Sequence, residues 1–404
     1  MIVLAGASLV LPDRVVERGT LVIRDGRIEA IESRAVDGPA GATRIDCSSQ
    51  VIVPGFIDVH VHGIEGIDAL DGGGAVADMA SRLPKYGVTA FCPTSVACGP
   101  ETLAALLTEV AAARRSLAPR SARVLPAHLE SNFINPDWNG AQPRRCLRLP
   151  PTTADSAHRS GPLVSVDGEF HALDILDVIA RHRTEAGIVT LAPELPGGLE
   201  LVRALVAAGH RVSIGHSGAS YDEAIAAIEA GACQATHLFN RMSAPTSRAP
   251  GVVGAVLASE AVAAEIICDG FHVHPALVAL ALRAKTARRL MAITDGTAGS
   301  GLPPGSRARL GEQEIIVTGQ GAQLADGTLA GSVLTMDGAF RRLVQQAGVS
   351  LTDAARLCST TPAAELGLPE VGVIAAGSLA DLVVLGPGLV VRRTYVAGSV
   401  VWEH

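Results

Sequence analysis

The chain has 404 residues, 48% apolar and 18% charged, with a formal charge of −7. That balance supports a large core and excludes long disordered tails, and without a basic run it excludes a non-specific nucleic-acid binder. No uninterrupted stretch of about 18 apolar residues occurs, so no membrane-spanning helix is expected. The apolar start, residues 1–11, runs into Pro12-Asp13-Arg14 without a basic leader and reads as a first strand, not a signal peptide. Short β-rich runs follow at 21–23 and 28–31, broken by Asp25-Gly26. The tail from Gly372 repeats the style, with runs at 382–385 and 390–396 broken by Gly386-Pro387-Gly388. Residues 1–53 plus 357–404 are therefore expected to build one small β-sandwich domain from both ends of the chain. Between them, over 54–356, eight apolar runs alternate with helical patterns: 56–62, 88–95, 124–130, 188–194, 212–216, 233–239, 263–269 and 291–295. The helix after the fifth opens on Ser220 as N-cap and stops at Gly231. This order predicts an α/β fold, a (β/α)₈ TIM barrel; the rival, an open doubly wound sheet, is weakened by the absence of Gly-x-Gly-x-x-Gly after an early strand. Seven cysteines, odd in number and never spaced Cys-x-x-Cys, read as reduced thiols in a cytoplasmic protein.

Chemistry concentrates where the predicted strands end. Side chains alternate along a strand, so His60 and His62 project to one side at the end of the first. The third ends in His128-Leu-Glu130, the fifth in His216, the sixth in His237, the seventh in Asp269 and the eighth in Asp295. Barrel active sites are assembled from those C-terminal ends, and imidazole with carboxylate supplies ligands for Zn²⁺ or a similar divalent ion. Each residue alone has a plainer reading: a satisfied polar group, a helix cap at Glu130, an Asx turn at Asp295-Gly296. Their recurrence at the ends of strands one, three, five, six and eight favours a metal site.

The stretch Pro54-Gly-Phe-Ile-Asp-Val-His-Val-His-Gly63 resembles the entry motif of the amidohydrolase superfamily. Together with His128-Leu-Glu130, Ile214-Gly-His-Ser217, Thr236-His-Leu-Phe-Asn240, Asp269-Gly-Phe-His-Val-His-Pro275, Ile293-Thr-Asp-Gly296 and Leu329-Ala-Gly-Ser332, it resembles the N-acetylglucosamine-6-phosphate deacetylase family over almost the whole chain. The resemblance implies removal of the acetyl group from N-acetylglucosamine 6-phosphate, giving glucosamine 6-phosphate and acetate. It implies Glu130, His216 and His237 as ligands of the main ion, with His60 and His62 offering a place for a second. Zn²⁺ leads, with Fe²⁺, Co²⁺ and Mn²⁺ open, as one or two ions per subunit. Neither lysine ends the fourth strand, so a carbamylated lysine bridge is not available. Asp295 matches the family's general base and acid, and Gln142 the contact to the reacting oxygen; a surface-loop glutamine is the plain alternative for Gln142. Arg248, in Arg248-Ala-Pro-Gly251, matches an arginine that reaches the phosphate in the neighbouring active site of a homodimer, or it is a solvated loop residue. His272 and Asn240 match further phosphate contacts.

Two departures bear on the substrate. The family pattern Leu-Glu-Gly-Pro-Phe reads Leu129-Glu-Ser-Asn-Phe133 here, placing Ser131 and Asn132 beside the expected acyl group, and Asn-Ala-Met reads Asn240-Arg-Met242, placing Arg241 near the expected phosphate. The alternatives kept open are a deacylase of another N-acylated amino sugar or of an N-acyl amino acid, and a non-catalytic homologue. The last predicts eroded ligands, yet Glu130, His216, His237 and Asp295 are all present. Residues 297–331, rich in glycine and proline, are a candidate lid.

Overall fold

The computed structural model describes residues 1–37, 39–115, 118–151 and 170–404. Its centre is a parallel barrel of eight strands: Phe56–Val61, Val88–Ser95, Ala127–Glu130, Ala186–Leu191, Arg211–Ile214, Gln234–Ala235, Ala263–Ile267 and Leu290–Ile293. Each pairs in parallel with the next. The ring closes through a bridge between Val61 and Gly296 and the bond from Asp295 N–H to the His60 carbonyl, 2.9 Å. Every residue of the first, second and third strands is buried, as expected of strands covered on both faces. Helices such as Pro100–Arg114, Gly198–Ala207 and Tyr221–Glu229 cover the outside.

All eight expected strands are present, and several stop short of their expected ends. The fifth stops at Ile214, and the sixth keeps only Gln234–Ala235. The cause is local: His216, His237 and Asp295 have φ of 48°, 32° and 49°, left-handed backbone that leaves the ladder. Such conformations cost non-glycine residues free energy and cluster where a fold holds functional groups in place.

Both chain ends meet in one eight-stranded sheet. Ile2–Val10 pairs with Val15–Arg24, Thr43–Asp46 and Val51–Pro54, and the last of these pairs with Leu382–Leu385, which continues to Val391–Val396 and Ser399–Glu403. One cluster of buried side chains, including Leu4, Leu9, Leu21, Ile28, Ile52 and Tyr395, draws on both ends. An Arg123–Asp381 ion pair and the bond from Thr394 Oγ1 to the Pro84 carbonyl, 2.7 Å, tie this sheet to the barrel.

The candidate lid contains a three-stranded antiparallel sheet, Arg307–Leu310, Gln313–Thr318 and Gly321–Gln323. It packs Leu310, Ile315 and Ala322 with Val96 and Ala298, and Gly311 N–H donates to buried Asp68 at 2.9 Å. None of the seven cysteines is paired.

Candidate active site

The strand ends converge on Glu130, whose carboxylate is almost completely buried. Its Oε1 is 2.8 Å from both His216 Nε2 and His237 Nε2, and those nitrogens are 3.1 Å apart. Its Oε2 faces His62 Nε2 at 3.5 Å and His60 Nε2 at 3.9 Å. His60 and His62 bring their Nε2 atoms within 3.2 Å, and Asp295 Oδ1 lies 3.3 and 3.2 Å from them. Two donor sets thus share Glu130: one with His216 and His237, the other with His60, His62 and Asp295.

These sets fit a divalent ion. Tetrahedral sites with bonds of ~2.0–2.2 Å keep ligand atoms roughly 3.3–3.5 Å apart. The second set lies within a few tenths of an ångström of that spacing, and the first needs only a slight opening. The nitrogens that face each other at 3.1 and 3.2 Å cannot all point lone pairs inward without a cation or proton to share. Burial disfavours charge on His62 and His237, yet the bonds and fields of Asp295 and Glu130 outweigh it and push them up to about 10 and about 9. Burial likewise opposes the charged form of Glu130, but His216, His237 and His62 hold it well below the usual carboxylate range, and His60 and His62 lower Asp295 against its own burial. Burial pulls His60 down to about 4.

The orientations of His216 and His60 are fixed from behind. His216 Nδ1 donates to the Trp138 carbonyl at 2.8 Å. Glu194 accepts from Ser217 Oγ, the Gly218 N–H and Asn135 Nδ2, pinning the turn that carries His216. Asp58 accepts from the Thr294 hydroxyl at 2.6 Å and from the His60 N–H at 3.3 Å. Glu265 accepts from His60 Nδ1 at 2.9 Å. Sequence reading missed Glu265 and Asp58; the available signals were a carboxylate inside an otherwise apolar strand for Glu265 and one two residues before His60 for Asp58.

Above the cluster opens a cavity of about 340 Å³. Gln142 lines it; its Oε1 accepts from the Ala97 N–H at 2.7 Å, which turns its amide nitrogen onto Glu130 Oε2. Asn240, Arg241 and His272 line the outer part, with Trp138, Phe239, Leu310 and Leu329 as apolar wall. Asp269 accepts from His272 Nδ1 at 2.7 Å and from the His272 and Phe271 N–H groups, so it braces His272 and takes no part in the metal-type cluster. Ser131 and Asn132 are buried and turned away from the cavity: Ser131 Oγ donates to the Thr190 carbonyl at 2.5 Å, and Asn132 Nδ2 to the Cys98 and Cys146 carbonyls. His128 is bonded to Thr190 Oγ1 and the Val59 carbonyl, inside the barrel. Arg248 is exposed and is not part of the lining in its own chain.

A parallel barrel carrying imidazoles and carboxylates at this mouth is the architecture of metal-dependent hydrolases, and a model described as "Amidohydrolase family" matches residues 51–401. The N-acetylglucosamine-6-phosphate deacetylase of Danio rerio is 36% identical over 395 residues, 95% of this chain and 92% of the fish protein. An N-acetylgalactosamine-6-phosphate deacetylase of Escherichia coli O157:H7 is 34% identical over 381 residues, covering 94% and 93%. A solved structure from Mycobacterium smegmatis, a mutant N-acetyl-D-glucosamine-6-phosphate deacetylase in complex with N-acetyl-D-glucosamine-6-phosphate, superimposes with a TM-score of 0.87 at 31% identity over 99% of both chains. The chain belongs to the amidohydrolase family and, within it, to the N-acetylglucosamine-6-phosphate deacetylase family.

Proposed function

We propose that this chain removes the acetyl group from N-acetylglucosamine 6-phosphate, releasing acetate and glucosamine 6-phosphate. The observation that carries the reading is the pair of donor sets sharing Glu130, with Asp295 at their edge, on the floor of a cavity whose outer part offers cationic and neutral donors. Zn²⁺ is the ion these nitrogen and oxygen donors suit first, held by Glu130, His216 and His237, with His60 and His62 receiving a second. Such an ion supplies an electrophile for the amide carbonyl and brings a water's pKa toward ~7. Asp295, kept ionised by its histidine neighbours, takes a proton from the attacking water and returns it to the departing nitrogen, because an amide anion is too poor a leaving group. Gln142, with its nitrogen turned inward by Ala97, donates to the developing oxyanion.

The outer donors Asn240, Arg241 and His272 take the phosphate, and the Arg241 guanidinium pairs with no carboxylate among the described residues. Arg248 lies outside its own cavity, which suits a homodimer in which it serves the neighbouring one. Ser131, bonded to the Thr190 carbonyl, and Asn132, bonded to the Cys98 and Cys146 carbonyls, shape the cavity from behind. Residues 1–53 with 357–404 form the small β domain in this reading, and 54–356 the catalytic barrel. No helix among the described residues is long and apolar enough to cross a membrane; with seven unpaired cysteines, the cytoplasm is the compartment we assign.

A substrate panel tests this. Acetate release from N-acetylglucosamine 6-phosphate should far exceed release from the unphosphorylated sugar, and Arg241→Ala should raise KM for the phosphorylated sugar alone. Faster turnover of the galacto epimer would move the chain to the second substrate found among its relatives; activity on neither sugar phosphate would refute the assignment.

A further inference from the structure

Glu265 has no role in the chemistry above, yet it is the carboxylate nearest the back of the site. It sits mid-strand in Ala263–Ile267, completely buried, with its side chain in the barrel interior. Its Oε2 lies 2.9 Å from His60 Nδ1 and 3.3 Å from the His237 N–H. Its Oε1 has no hydrogen-bond partner among the described residues; His128 Nδ1, 3.6 Å away, has its own bond to the Val59 carbonyl. A carbonyl oxygen only accepts, so that bond fixes the proton of His128 on Nδ1, and the proton points away from Glu265.

The same logic fixes His60. With Glu265 accepting at Nδ1, the proton of His60 sits there and its Nε2 lone pair faces His62, Asp295 and Glu130. A buried carboxylate with one unbonded oxygen is stabilised by nearby positive charge, and a cation on His60 Nε2 would be one imidazole ring away. We propose that Glu265 is a positioning residue that builds the second cation site, holding His60 as a ligand of an ion shared with His62, Asp295 and Glu130. The proposal rests on the metal-hydrolase reading and adds which residue decides between one ion and two. Glutamine at this position keeps an oxygen for His60 Nδ1 and the His237 N–H but removes the charge. Leucine removes both.

The test is metal binding, independent of turnover. Wild type, Glu265→Gln and Glu265→Leu, each stripped of metal, are titrated with Mn²⁺ while bound ion is counted by equilibrium dialysis and spin-coupled pairs are followed by electron paramagnetic resonance. Wild type should hold two coupled ions. Glu265→Gln should bind the second about 10–100-fold more weakly, and Glu265→Leu should hold one, uncoupled. Unchanged affinity for the second ion in Glu265→Gln overturns the proposal, even if Glu265→Leu fails to fold. A wild type that holds a single ion also overturns it but leaves the hydrolase reading standing. A wild type that binds none removes that reading itself.

Discussion

Six side chains define the floor of the site, and their charges depend on one another. His62 and His237 are held protonated by Glu130 and Asp295, at about 10 and about 9 against an ordinary value of ~6.5. A group whose pKa is raised on folding contributes stability that is complete below its unfolded pKa and lost as pH rises through the folded one. Protein stripped of metal should therefore lose that contribution between pH ~6.5 and ~10. A bound ion replaces those protons and binds more tightly as the histidines deprotonate. The gap in melting temperature between Zn²⁺-loaded and chelated protein should widen steadily from pH ~6.5 to ~9. A gap that stays level or narrows would contradict the electrostatic account. All six residues were legible because they recur at strand ends, where a barrel places its chemistry. Glu265 stood out only as a carboxylate in an apolar strand; its role was hidden because its partner His60 is 205 positions away and only the closed ring brings them together. Ser131 and Asn132 adjoin Glu130 in sequence, but Ser131 bonds to the carbonyl of Thr190 in the fourth barrel strand and Asn132 to the Cys98 and Cys146 carbonyls, rather than facing the cavity.

At the scale of elements, the barrel was legible from alternating apolar runs and caps, and the strand ends were overextended. An apolar run continues through the fifth and sixth strand ends, but His216 and His237 adopt left-handed backbone there, which no apolar pattern announces. Capping was read correctly. Ser220 Oγ accepts from the Glu223 N–H at 3.3 Å and the Glu223 carboxylate accepts from the Ser220 N–H at 2.8 Å, a reciprocal pair at the start of Tyr221–Glu229. Ser220→Ala should cost about 1 kcal/mol in denaturant unfolding. Because Ser220 is exposed and is not part of the cavity lining, kcat/KM should not move. Undiminished stability would show that the helix draws nothing from this cap. The glycine- and proline-rich segment 297–331 read as a lid from composition alone. Its three strands, their packing on Val96 and the Asp68–Gly311 bond place it beside the cavity, to which it contributes Leu310, Leu329 and Gly331.

Across the whole molecule, the division of labour follows rigidity. The floor stands on buried parallel strands and is held from behind by Asp58, Glu194 and Glu265, whereas Arg241, Asn240 and His272 stand on the loops above it. In the proposed reading the loops set the substrate while the floor keeps one chemistry. The terminal sheet, joined from sequence ends more than 300 residues apart, was foreseen from its matching short strands and glycine-rich turns. In the proposed reaction a metal-holding floor, with Asp295 moving the proton, performs amide hydrolysis. The measurement that tests this most directly is amine release from N-acetylglucosamine 6-phosphate by wild type and Asp295→Asn, with bound metal counted in both. Asp295→Asn should keep the ion held by Glu130, His216 and His237 while kcat falls by about 10²–10⁴. An Asp295→Asn protein that holds its metal and keeps more than a few per cent of wild-type kcat would refute proton transfer by Asp295.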